Sequence, residues 1–205
     1  MTEHTRSASA ETLDQNYWNE RWEQREPGWD IGYSSPPIED YMVQFENKNA
    51  KILIPGCGNA HEAEFLLENG FTDITILDIA PNAVAILKKK FENNPEIKVV
   101  CDDFFYHHDR YHLIIEQTFF CALNPERRTE YVKKTAELLS PKGKIMGVLF
   151  DRFFERQGPP FGGTIEEYRG LFGKEFEIKT MEKCRNSIPA RMGSEAFIIL
   201  EKKEI

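Results

Sequence analysis

The stretch from Lys51 to Asp78 limits the fold more than any other part of the chain. It opens on Ile52-Leu53-Ile54, an apolar run with the length and branching of a strand buried on both faces. Pro55-Gly56-Cys57-Gly58 breaks the run, and Asn59-Ala60-His61-Glu62 leads into a helical pattern. Ala63, Leu66 and Leu67 recur there at helical spacing before Gly70 ends it. A second apolar run, Ile74-Thr75-Ile76-Leu77, stops at Asp78. Strand, glycine turn, helix, strand and acid predict a βαβ nucleotide-binding unit. The glycines let a ligand approach the backbone, and an acid about 20 residues on can take both ribose hydroxyls.

The turn also narrows the ligand. A dinucleotide site wants a third glycine and a helix N-terminus free for pyrophosphate. Here Gly56 and Gly58 are followed by Asn59, Ala60, His61 and then Glu62. A carboxylate in the first helical turn suits a ligand with an ammonium better than one with phosphates. S-adenosylmethionine has adenosine, a sulfonium and an amino acid, and no phosphate. The glycines alone are equally compatible with a tight turn in any α/β protein. Glycines, Glu62 and Asp78 in register favour this cofactor over NAD.

At 205 residues the chain fits one core with a small N-terminal appendage. Its 26 basic and 34 acidic residues give a net charge of −8, which opposes a nucleic-acid partner. No apolar run is long enough for a membrane span, and Met1 to Glu11 lacks the apolar centre of a signal peptide. Cys57, Cys101, Cys121 and Cys184 have no metal-ligand spacing; three fall in or at the end of apolar runs and are expected as buried free thiols. A cytoplasmic protein without metal is expected.

Residues 1–11 read as a disordered lead and 12–48 as a helical lid. The lid has one helix from Leu13 to Arg25 and a second, capped by Ser34 or Ser35, running to about Asn47. All three tryptophans, Trp18, Trp22 and Trp29, precede position 30. They either staple this segment onto the domain or form an aromatic cover, since ring faces can hold a sulfonium. Residues 49–205 form the main domain. Helix from Pro81, strand at 97–101, strand at 111–116, helix after Asn124-Pro125, strand at 144–150, helix capped by Thr164 and Glu167, and strands at 175–182 and 195–202 complete it. Asp103 and Phe104 follow the third strand and Glu116, Gln117 and Phe119 the fourth, where ligands of open α/β sheets bind. His107, His108 and His112 read as surface histidines.

With these pieces in place the chain resembles the thiopurine methyltransferase family, and within it the halide, thiol and thiocyanate methyltransferases. The resemblance rests on Trp18, Trp22, Trp29-Asp30-x-Gly32, Ile54-Pro55-Gly56-Cys57-Gly58, Thr118-Phe119-Phe120-Cys121-Ala122, Asn124-Pro125-Glu126-x-Arg128, Gly158-Pro159-Pro160-Phe161 and Ile188-Pro189-x-Arg191. It implies a seven-stranded, mostly parallel Rossmann-like sheet with an antiparallel edge strand and helices on both faces. It implies S-adenosylmethionine contacts at Trp18, Trp22, Trp29, Gly56, Asp78, Asp103, Phe104, Glu116 and Gln117, to which the turn itself adds Gly58 and Glu62. Trp29, Phe119, Pro160, Phe161 and Arg191 would line the acceptor pocket, with Arg191 steering an anion. The family usually has aspartate at the position of Glu116 and tyrosine or arginine at that of Gln117, so the acceptor need not follow either branch.

Methyl transfer from a sulfonium needs alignment and a dry pocket more than a base. The expected activity is methyl transfer to a small soft nucleophile: a thiol, a thiopurine, a halide or thiocyanate. A monomer is expected. A methyltransferase for another small molecule, a non-catalytic cofactor-binding module and an NAD-dependent oxidoreductase are the alternatives. A nucleic-acid methyltransferase would carry its proline-proline-aromatic signature after the fourth strand, whereas Gly158-Pro159-Pro160-Phe161 follows the fifth.

Overall fold

The computed structural model describes residues 12–24 and 29–204. The expected disordered lead at 1–11, the end of the first helix at Arg25 and the loop residues Pro27 and Gly28 lie outside them. Seven strands, β1 (Ile52–Pro55), β2 (Ile74–Asp78), β3 (Ile97–Cys101), β4 (Tyr111–Gln117), β5 (Leu139–Phe150), β6 (Phe176–Lys183) and β7 (Glu195–Lys202), form one sheet in the order β3-β2-β1-β4-β5-β7-β6. The pairs from β3 to β5 are parallel. β7 runs against its two neighbours, and β6 closes that edge beyond it. The mostly parallel sheet with an antiparallel pair at one edge is therefore present.

Alternation along the central strands divides two cores. Ile52, Ile54, Ile74, Ile76, Leu113 and Ile115 face one way. There they meet α2 (Pro36–Val43) through Ile38 and Met42, α3 (His61–Glu68) through Leu66, and α4 (Pro81–Lys90) through Leu87. Leu53, Ile114, Ile145 and Ile198 face the other way. They pack on α5 (Arg128–Leu138) and α6 (Ile165–Phe172) through Tyr131, Leu138, Tyr168 and Phe172. β1 and β2 are buried along their whole length, as strands covered on both faces must be.

The N-terminal segment adds α1 (Gln15–Glu23), capped by Asp14, whose side chain accepts from the Tyr17 amide. α2 stops at Val43, short of the expected Asn47, because Gln44 and Phe45 tighten to bonds with carbonyls three residues back. Ser35 holds its N-cap position without a side-chain cap bond. The Thr164–Glu167 capping box forms on α6, and the Asn124 side chain accepts from the Glu126 amide ahead of α5. Of the histidines, His108 is exposed, but His107 is buried and contacts the Tyr111 hydroxyl at 2.7 Å. The surface reading fails there because Tyr111 offers a partner inside the core. Cys57, Cys121 and Cys184 are buried and Cys101 is exposed; all four are free thiols. Among the described residues no helix is long and apolar enough to cross a membrane.

Candidate active site

A cleft of about 1390 Å³ opens at the carboxyl ends of β1 to β5, where the strand order turns from β1 to β4. Its floor is the turn after β1. Gly56 and Gly58 have φ of 56° and 54°, a region that side chains with a Cβ avoid. A Cβ on Gly56 would stand 2.3 Å from the Phe119 ring. The turn therefore needs glycine at Gly56 twice over, for its conformation and for its neighbour.

Asp78 ends β2 at the cleft and is almost wholly buried. One carboxylate oxygen accepts from the Ala80 amide at 2.9 Å and the other from the Gly58 amide at 3.3 Å. Each oxygen keeps a lone pair for a further donor. Desolvation outweighs these bonds and pushes the carboxyl up to about 6. Asp102 and Asp103 follow β3 on the same wall. Asp103 accepts from the Phe105 amide at 2.9 Å, which fixes the turn that carries Phe104. Phe104 lines the cleft but is only 2% exposed, because it stacks on Tyr131 and meets Phe119 edge-on.

The three tryptophans also line the cleft. Trp18 and Trp22 stand edge-to-face with Trp29, at 5.8 and 6.2 Å between ring centroids. The segment carrying Trp29 is held at several points. Arg191 donates to the Trp29 carbonyl at 3.1 Å, and the Asp30 carboxylate accepts from Gly32, Asn59 and His61. Those donors hold the Asp30 pKa below its ordinary value although burial opposes them. Gln15 also donates to the Ile79 carbonyl, just past Asp78.

Phe119, Pro160 and Arg191 line the cleft with Trp29; the other expected residues do not all reach it. Glu62 is buried beside a small void of about 40 Å³ and accepts from the Ser35 amide at 3.1 Å. Its carboxylate ties the lead into α2 to α3 and does not line the cleft. Glu116 is fully buried: one oxygen accepts from the Phe119 and Phe120 amides, and the other from the Tyr131 hydroxyl at 2.6 Å. Burial pushes it up to about 7. β4 runs one residue further than expected, to Gln117, and Thr118 takes a left-handed φ of 61°, so Glu116 turns into the core. Gln117 lines the small void, with its side-chain oxygen buried and unpartnered. Phe161 is also off the cleft; its amide donates to the Cys121 carbonyl at 2.6 Å.

Several cleft residues escaped the sequence reading, among them Tyr17, Cys101, Asp102, Cys121, Arg127 and Arg156. Asp102 had a signal, as the first acid past β3. Arg156 had none, because a basic residue in a loop looks the same wherever the loop goes.

S-adenosylmethionine fits this lining. The Asp78 lone pairs are free for hydroxyl donors, Gly58 leaves room at the floor beside Trp29, and aromatic faces are available to a sulfonium. Comparisons with known proteins agree. A probable thiol methyltransferase 2 of Arabidopsis thaliana is 30% identical over 184 residues, covering 87% of this chain and 81% of that protein. Thiocyanate methyltransferase 1 of the same plant is 28% identical over 192 residues, covering 90% and 83%. A Burkholderia thailandensis 1,6-didemethyltoxoflavin N1-methyltransferase, solved with S-adenosylhomocysteine, superposes with a TM-score of 0.75 at 15% identity, over 93% of this chain and 87% of that one. The profile of the thiopurine S-methyltransferase family matches residues 13–203. That match runs through the tryptophans, the glycine turn and every strand of the sheet, and so the chain belongs to the thiopurine S-methyltransferase family and is an S-adenosylmethionine-dependent methyltransferase.

Proposed function

We propose that the protein methylates a small soft nucleophile, a thiolate, thiopurine, halide or thiocyanate, inside this cleft. The carrying observation is the lining itself: aromatic rings around a glycine floor, with arginines as the cleft's cations. Arginine stays protonated, so it can orient an anion but cannot take a proton from a neutral acceptor. Names of relatives that act on thiols and thiocyanate point the same way. Trp18, Trp22, Trp29, Gly56, Gly58, Asp78, Asp103 and Phe104 would hold the cofactor, and Trp29, Phe119 and Pro160 would bound the acceptor. Residues 12–48 act as the cover of the site and the rest as its body.

Held by these residues, S-adenosylmethionine would supply a methyl group on a sulfonium, its carbon–sulfur electron pair staying on sulfur when an acceptor's lone pair takes the methyl. The chain's part is to align the two and exclude water. The test is a panel of iodide, thiocyanate, bisulfide, alkyl and aromatic thiols and thiopurines, read by S-adenosylhomocysteine release. At saturating cofactor and subsaturating acceptor, the rate with an alkyl thiol should climb about tenfold from pH 7 to 8, because a free thiol ionises near 8.5. The rate with thiocyanate should stay level. A level thiol profile would show that the protein supplies a base, and no turnover with any acceptor would sink the proposed chemistry.

A further inference from the structure

A soft anion has to enter a chain of net charge −8, past Asp78, Asp102 and Asp103 on the cleft wall. Four arginines line the cleft, and three are engaged. Arg127 reaches both oxygens of Glu130, at 2.9 and 3.1 Å, and lies over the Phe105 ring. Arg21 lies over the Tyr17 ring. Arg191, the residue expected to steer an anion, donates to the Trp29 carbonyl and pairs with the buried Glu195 at 3.3 Å. Its charge is balanced within the fold. Arg156 is exposed and, among the described residues, forms no ion pair, hydrogen bond or ring contact.

The loop beneath Arg156 is braced at both ends. On one side the Asp151 amide donates to the Ser194 carbonyl and the Gly163 amide to the Arg152 carbonyl. On the other, the Phe161 amide donates to the Cys121 carbonyl, and Arg128 donates to the Gly162 carbonyl at 2.8 Å. The stretch between forms an arch whose Arg156, Gln157, Gly158, Pro159 and Pro160 all line the cleft. A guanidinium without a partner among the described residues is thus carried by a braced arch into the lining of the same cleft as the acids that follow β2 and β3.

We infer that Arg156 is a specificity-determining residue that gathers small preformed anions, such as thiocyanate or iodide, at the cleft in preference to neutral acceptors. This rests on the methyl-transfer reading and deepens it. Arg127 and Arg191 are neutralised by acids and orient the walls; Arg156, with Arg21 held among the described residues only by a ring face, supplies the local field that offsets the negative chain.

The experiment uses the full chain and two readouts, one of which needs no turnover. All three tryptophans line the cleft, so quenching of their fluorescence reports the anion concentration there. At fixed ionic strength, R156Q should lower the iodide quenching constant about two- to threefold, R156E should lower it further, and R156K should keep most of it. Quenching by neutral acrylamide should be equal in all four proteins, which also shows that the tryptophans have not moved. In turnover, R156Q should raise KM for thiocyanate about three- to tenfold with kcat unchanged, and high salt should erase the difference. Equal iodide quenching constants in wild type, R156Q and R156E would overturn the assignment. So would a wild-type enzyme that methylates a neutral thione and ignores both anions. Absence of all turnover beside a charge-dependent iodide quench would instead count against the methyl-transfer reading while supporting anion capture at Arg156.

Discussion

Asp78 is an acid kept in ionisable form where water scarcely reaches it. Its folded pKa of about 6 stands above the ordinary 3.8, so between those values the folded chain holds a proton that the unfolded chain has lost. The group's contribution to stability is therefore fullest below about pH 4 and is lost as pH rises through about 6. A shift of this size corresponds to about 3 kcal/mol against the folded state at neutral pH. Asp78→Asn should relieve part of that and raise the melting temperature of the cofactor-free protein by a few degrees at pH 7.5, with no gain at pH 3.5. The same change should weaken S-adenosylhomocysteine binding by about 10- to 150-fold, the loss expected for charge-assisted bonds to ribose. Calorimetric titration beside a melting series checks both. Unchanged affinity in the variant would remove Asp78 from the site.

The turn after β4 shows how far an element can be read from its residues. The strand itself was legible, since Leu113, Ile114 and Ile115 have the composition of a doubly buried run. The direction of its last acid was not, because it depends on the left-handed Thr118 and on Tyr131, a residue one helix away. Glu62 escaped for the same reason: its partner is the Ser35 amide, 27 positions earlier. That Asp78, Gly56 and the tryptophans reach the cleft was legible because their positions follow from order along the chain. Glu116 in turn holds two amides and a hydroxyl that shape the cleft wall at Phe119. Glu116→Gln keeps an acceptor for the amides and should fold as well as wild type at pH 8, where ionising the buried acid disfavours the native state. Glu116→Ala strands both amides and opens a void, and should cost about 2–4 kcal/mol. Urea unfolding separates the two; equal losses for both variants would mean that the acid's charge is what matters.

Across the whole molecule, the N-terminal segment is sewn to the sheet at points far apart in sequence. Gln15 reaches Ile79, Asn19 and Glu23 reach Asn82, Asp30 reaches Asn59 and His61, and Arg191 reaches Trp29. None of these pairings could be derived from local pattern. The Arg191 that reaches Trp29 is itself paired with Glu195, with side chains 13% and 4% exposed. Removing one partner of such a pair leaves the other charge desolvated and alone. Arg191→Ala should therefore destabilise by about 3 kcal/mol and loosen Trp29, while Arg191→Ala with Glu195→Ala together should lose less than Arg191→Ala alone. Denaturant unfolding and cofactor-induced tryptophan quenching of Arg191→Ala, Glu195→Ala and the double variant test this. Additive losses would show that the two side chains act separately.

A methyltransferase proposed here to act on soft nucleophiles such as thiolates has sulfur in its own walls. Cys101 and Cys121 line the cleft, and Cys57 lies within the glycine turn. Burial raises the pKa of Cys57 and Cys121, and partial desolvation that of exposed Cys101; the Asp78 charge adds to this at Cys57 and Cys101. The Cys121 thiol also donates to the Thr118 carbonyl at 3.1 Å, which keeps its proton on sulfur. Nucleophilicity belongs to the thiolate. The resident thiols and an incoming thiolate thus share an element and differ by one proton, and the walls of the cleft are arranged to keep that proton on. Resistance to its own reagent thus follows from the burial of Cys57 and Cys121 and, at exposed Cys101, from the neighbouring acid.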